Sequence, residues 1–229
     1  MRRIIAKDNS NIYYQVVGVG KPIVLIHGNF QHHRYFKKQI AFFSRFYKVI
    51  AMDTRDQGKS NNLASELNYT IISDDLALIL KQEHVKKCAI IGFSDGANIA
   101  FVFACRYPST VHKLVLCSGN ITFHGLVYRK QLQLTLRYMF FRYILHWKRG
   151  YRVLKLLMMD VPVNEEKAQR LKNIEALVIV GEHDIIRQQE TNRIVRMLPN
   201  VRYHTVLNKG HTIQTIDAAF IARFLKGCG

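Results

Sequence analysis

Seven short β-branched runs, at 12–17, 22–27, 48–53, 88–92, 113–117, 176–181 and 202–207, recur along the chain with amphipathic stretches between them. That alternation constrains the fold more than any other feature. Several runs are apolar almost throughout (Ile23 to Ile26, Ala89 to Ile91, Leu177 to Val180), as strands covered on both faces of a parallel sheet are. Helical periodicity fills 35–46, 71–82, 96–106, 189–197 and 218–225. Strand and helix in turn predict an α/β class: a doubly wound, mostly parallel sheet whose ligands bind at the carboxyl ends of its strands. The 229 residues are 48% apolar, enough to bury a core and to exclude a disordered chain.

The alternation breaks once. From 121 to 172 no strand pattern occurs and the periodicity suits two or three helices. This division predicts a core of residues 1–120 and 173–229 and a helical cap, or lid, of residues 121–172 over the carboxyl edge. A long helical crossover within the core is the alternative. No apolar run reaches the ~18 residues of a spanning helix. The first ten residues hold two arginines but not the apolar stretch of a signal peptide. The four cysteines, at 88, 105, 117 and 228, show no metal or disulfide spacing, so a cytoplasmic protein with no metal and no cofactor is expected.

The strongest local signal is Gly92, Phe93, Ser94, Asp95 and Gly96, lying between an apolar run and a helical one. A tight strand–turn–helix at these residues requires small neighbours and projects the Ser94 hydroxyl from the strand end. The following helix aims its free N–H groups at the same spot. Serine needs a base, and the base needs an orienting acid. Among the later acids, Glu182 and Asp184 alone fall just past a strand, and Asp184 lies farther into the loop with the shorter side chain. Among the later histidines, His211 follows a glycine loop after the last run, whereas His204 lies inside that run. An oxyanion would need two N–H donors: one from Asp95, after the serine, and one from the loop His27, Gly28, Asn29 and Phe30.

In this order the segments resemble the α/β-hydrolase superfamily over nearly the whole chain. The run from Asp53 through Arg55, Gly58 and Ser60 resembles its D-x-R-G-x-G-x-S segment, with Asp56 in place of a glycine. The resemblance implies Ser94 as nucleophile, His211 as base and Asp184 as its partner. It implies the backbone N–H groups of Asn29 and Asp95 as oxyanion hole, and a lid where the helical insertion falls. The expected reaction is hydrolysis of a small-molecule ester or other acyl substrate through an acyl-enzyme. C–C bond hydrolysis or a lyase reaction on a small carboxylated substrate is the alternative, and a non-catalytic binding protein the further one. Residues 117–120, the other place for the acid, hold no carboxylate. Phe30, His32, Phe93, Tyr138 and Phe141 are candidate substrate contacts. A zinc site at His32 and His33 lacks an evident third ligand in the sequence.

The chain carries 34 Lys and Arg against 16 Asp and Glu, a net charge of +18. From Gly96 to Met159 there is no acidic residue but ten basic ones, eight of them in the cap among Leu, Phe, Tyr and Trp. A solvated basic face, an interfacial lid on anionic lipid, and a cap that steers an anionic substrate are the three readings. No nucleic-acid motif accompanies the charge, so nucleic acid is not expected as a partner. No oligomeric state is specified by these patterns.

Overall fold

The computed structural model describes residues 1–212 and 216–227; Cys228 lies outside them. One eight-stranded sheet runs in the order β1-β2-β4-β3-β5-β6-β7-β8. Its strands are β1 (Arg2–Ile5), β2 (Asn11–Val17), β3 (Lys21–Ile26), β4 (Tyr47–Met52), β5 (Cys88–Phe93), β6 (Val111–Cys117), β7 (Glu175–His183) and β8 (Val201–Gly210). β2 pairs antiparallel with β1 and β4, and the pairs from β4 through β8 are parallel. Helices α1 (Lys37–Phe43), α2 (Tyr69–Gln82), α3 (Asp95–Arg106), α7 (Gln188–Met197) and α8 (Ala218–Lys226) cover the sheet. Between β6 and β7 lie α4 (Tyr128–Met139), a π-helical turn (Phe140–Ile144), α5 (Lys148–Met158) and α6 (Glu165–Gln169). The expected fold is the one found.

The continuous apolar runs are explained by two cores, one on each face. Along β3, Val24 and Ile26 enter the core beneath α2 and α3, while Ile23 and Leu25 enter the core beneath α1 and α8. Period-two alternation therefore vanishes from the hydropathy but survives in the packing. Cys88, Cys105 and Cys117 are buried free thiols of these cores. Burial raises the thiols of Cys88 and Cys105 to about 12, and it also pushes the Cys117 thiol up.

Two features depart from the sequence reading. β1 went unread because only Ile4 of its four residues is buried: it is a short edge strand that carries two arginines, a composition that blunts edge pairing. β7 and β8 run farther than their apolar stretches, since a register shift lets His183 pair with Gly210. Glu182 is thus the penultimate residue of a strand, and Asp184 follows the strand directly.

The chain leaves β3 toward β4 on one side and returns through α2 to β5 on the other. The strand order reverses between β3 and β5, and the crevice at their carboxyl ends is where such sheets take ligands.

Candidate active site

Ser94 sits in that crevice, between β5 and α3, with φ 56° and ψ −123°. This backbone region strains any residue with a Cβ, and the surroundings enforce it. The Ser94 N–H donates to the Cys117 carbonyl at 2.8 Å, and its own carbonyl accepts from Ala97 N at 2.8 Å. A side chain on Gly92 would overlap the Gly96 carbonyl, and one on Gly96 would overlap that of Ile26. Glycine at both positions is what allows β5, α3 and β3 to meet at the serine.

His211 follows β8 directly. Its Nε2 lies 3.0 Å from Ser94 Oγ and its Nδ1 2.7 Å from Asp184 Oδ1. Ile186 N donates to the same carboxylate oxygen at 3.1 Å, and the Ser118 hydroxyl donates to Oδ2 at 2.6 Å. Burial alone would raise the Asp184 carboxyl, but His211, Ser118 and the Ile186 N–H together hold it below the ordinary value. Ser118 occupies the place after β6 where the sequence offers no acid. The signal missed there was a hydroxyl that braces the acid just past the next strand. Phe93 lies tilted against the His211 ring, with centroids 5.2 Å apart.

The loop after β3 is fixed by His27, which is fully buried. Its Nδ1 lies 2.8 Å from the Gly28 carbonyl, and its Nε2 accepts from Thr54 N at 3.1 Å. Burial lowers its pKa to about 4, so the neutral ring that this bonding requires is the one present. The next residues set the oxyanion candidates side by side. Asn29 Nδ2 donates to Asp95 Oδ2 at 2.6 Å and to the Val153 carbonyl of α5 at 2.9 Å. Neither the Asn29 nor the Asp95 backbone N–H has an acceptor among the described residues. Asp95 Oδ1 is buried without a partner among the described residues, and burial lifts this carboxyl to about 6 against the opposing bond from Asn29.

A cavity of about 180 Å³ opens beside the serine. Phe30 and Phe93 line it, as do Gln31, Leu126, Leu134, Leu157 and Ile185. His32, Tyr138 and Phe141 do not. His32 is exposed, Tyr138 packs edge-on to Tyr151, and Phe141 is buried against Phe30 and Trp147. Lys130 and Arg137 do line it, and no carboxylate does among the described residues. Their spacing with Leu134 (130, 134, 137) marks one face of α4, a pattern present in the sequence but hidden among the many other basic residues of the cap.

His32, His33 and Asp53 bring three ligand-type atoms within 4.8 Å of one another. Both Asp53 oxygens are already engaged by protein donors: His33 N and Nδ1 at 2.8 Å, and Lys59 N at 3.0 Å. These bonds tie the loop after β3 to the loop after β4.

Asp56, the departure from the glycine pattern, adopts φ 60°. Its carboxylate accepts from Arg152 Nε at 2.8 Å and Nη2 at 2.7 Å, both side chains being buried, and its carbonyl accepts from Arg149. The residue that strains the turn is the one that holds α5.

Comparison with known proteins agrees with this architecture. Over 131 residues the chain is 32% identical to sn-1-specific diacylglycerol lipase ABHD11 of Danio rerio, a match covering 51% of this chain and 40% of that protein. The matched region thus spans less than half of that relative's length. Among solved structures, a meta-cleavage product hydrolase from Pseudomonas fluorescens IP01 superposes with TM-score 0.77 at 20% identity, covering 99% of this chain and 95% of the other. A thermophilic esterase from Thermogutta terrifontis superposes with TM-score 0.75 at 18% identity, covering 99% of each. Identities this low establish a shared fold. The alpha/beta hydrolase fold family matches residues 21–148, more than half of the sequence, and the chain belongs to that family.

Proposed function

We propose that the protein is a serine hydrolase of carboxylic esters, acting through Ser94, His211 and Asp184. The observation that carries the reading is the unbroken relay Ser94 Oγ, His211, Asp184 at 3.0 and 2.7 Å, with the serine on a strained turn at the strand-order reversal. In this reading His211 Nε2 takes the Ser94 proton as Oγ adds to the ester carbonyl. The resulting oxyanion rests on the N–H groups of Asn29 and Asp95. His211 then returns the proton to the departing alkoxide, leaving an acyl-enzyme, and activates the water that releases the acid. Asp184 holds the imidazole tautomer and offsets its charge when it is protonated. The lipase and the esterase among the similar proteins support ester chemistry for this chain.

The test is turnover of p-nitrophenyl butyrate together with labelling by a fluorophosphonate. Both are expected in the wild type, and Ser94→Ala should lose at least ~10³-fold in kcat with no label. A wild type that neither labels nor turns over would instead favour a non-catalytic binding protein.

A second reading is favoured by one observation: Lys130 and Arg137 line the cavity with no carboxylate beside them. It assigns the same triad to a small carboxylated substrate, including C–C bond hydrolysis of the kind named for the structural neighbour from P. fluorescens. Hydrolysis of a carboxylated β-diketone, with silence on neutral esters, would select it.

A further inference from the structure

We propose that the outer face of the cap is a docking surface for an anionic lipid bilayer. This is independent of which bond the site cleaves. Helix α4 has two apolar faces. One carries Leu134 and continues to Phe141, both buried with Leu154 and Leu157 in the cap's own core. The other carries Tyr128, Leu132, Leu136 and Met139, at helical spacing, with exposures of 72, 48, 53 and 41%. It runs on through Phe140, Tyr143, Ile144 and Leu145 to Trp147, all exposed. Of the seventeen large apolar side chains exposed among the described residues, ten lie between Val127 and Trp147. Folding does not require that concentration, and soluble surfaces rarely carry contiguous patches of this kind without a partner.

The charges around the stripe select the partner. Arg129 and Arg142 flank it on either side of the helical path and Lys148 closes its end, all three exposed, and no acid occurs from Gly96 to Met159. A second copy of the chain would bring this basic rim against its like. A zwitterionic bilayer would accept the apolar stripe but leave the cations unmatched. Anionic lipid satisfies both, as it does for helices that lie in the membrane interface. No helix among the described residues is long and apolar enough to cross a membrane, so the geometry is one of lying on the surface. The opposite face of α4 lines the cavity beside Ser94, which puts the proposed bilayer contact and the site on two sides of one helix.

Trp147, the single tryptophan of the chain, is 43% exposed in this patch and reports on it directly. Its emission should shift to the blue, and be quenched by brominated acyl chains, on vesicles of phosphatidylcholine and phosphatidylserine at ~0.1 M salt. Partitioning to pure phosphatidylcholine should be at least ~10-fold weaker. Adsorption through net charge alone is separated by Leu136→Asn/Phe140→Ser, which keeps every cation and should lose ~10-fold or more in partitioning along with the quenching. Both side chains are exposed, so an unchanged melting temperature verifies the fold. Lys86→Gln/Lys87→Gln, exposed just before β5 at the far end of the sheet, should leave partitioning unchanged. Vesicle binding without a Trp147 shift, or full binding by the Leu136/Phe140 variant, overturns the proposal. A Trp147 shift that grows with protein concentration in the absence of lipid also overturns it, giving the face to a second copy.

Discussion

Asp95 places a fully buried carboxyl next to the proposed nucleophile, with one oxygen unpartnered among the described residues and a pKa lifted by burial to about 6. Its effect on stability follows from linkage. Below about pH 4 both native and unfolded chains hold this proton. Between about 4 and 6 the unfolded chain releases it and the native chain does not, so stability falls as pH rises, levelling off above about 6. Asp95→Asn removes that slope. Denaturant titrations should show the variant gaining on the wild type by on the order of 3 kcal/mol across this window and holding the gain above it; a difference independent of pH would count against the assignment. In the proposed mechanism Ser118, which donates to Asp184, is a positioning residue one contact farther from the chemistry. Ser118→Ala should lower kcat/KM on esters by ~10-fold, the worth of about one charge-assisted hydrogen bond. Because Asp184 loses a donor, its carboxyl should also rise, and the acid limb of the pH–rate profile should move. A profile of unchanged shape at unchanged rate would remove Ser118 from the site. The sequence pointed to Ser94, Asp184 and His211 because strand ends and turn glycines mark them locally. It was silent on Ser118, whose role depends on strand β6 lying beside β7.

At the scale of elements, α5 links the helical insertion between β6 and β7 to the candidate site. Its Val153 carbonyl holds the Asn29 side chain, and its Arg152 holds Asp56 and the Asn62 carbonyl. The other end of the insertion is tied to α7, where the buried Glu190 accepts from Ile121 N and Thr122 N at 2.7 and 2.6 Å. Burial raises the Asp56 carboxyl despite the arginine beside it, so the pair is one whose separation leaves a costly charge behind. Arg152→Leu should therefore destabilise the protein by about 3 kcal/mol. Asp56→Gly relieves the strain at φ 60° yet orphans Arg152, and should also destabilise. The double variant should recover most of the loss, a coupling that thermal or chemical denaturation of the four proteins measures. Additive losses would mean that Asp56 and Arg152 act separately. The strands and helices of the core were legible because each repeats its own period along the chain. The Asp56–Arg152 pair was not, since the two lie 96 positions apart and the sequence offered Asp56 only as a departure from the glycine pattern.

For the molecule as a whole, the charge of +18 divides by position rather than acting as one field. Of the eight basic residues between 121 and 159, Arg149 and Arg152 are spent on the loop after β4, and Lys155 lies 3.7 Å from the exposed Glu66. Arg129, Arg142 and Lys148 face outward, while Lys130 and Arg137 face the cavity. The sequence counted these charges correctly, but their three destinations depend on how α4 and α5 pack. Arg137 lies over the rings of Phe30 and Phe141 at 4.6 and 5.0 Å, a contact that holds the guanidinium by its face and leaves its in-plane N–H groups available. If those cations meet a substrate anion, turnover must depend on salt in a substrate-specific way. For p-nitrophenyl hemisuccinate, kcat/KM should fall by roughly 10-fold between low salt and about 0.5 M, while the neutral butyrate ester changes little. Lys130→Gln/Arg137→Gln should flatten that dependence and narrow the ratio between the two esters. Arg129→Gln, on the outer face of the same helix, should leave the ratio as it is. A parallel salt response of both esters would mean that the cavity cations do not read charge, and the basic character of the cap would then belong to its outer face alone.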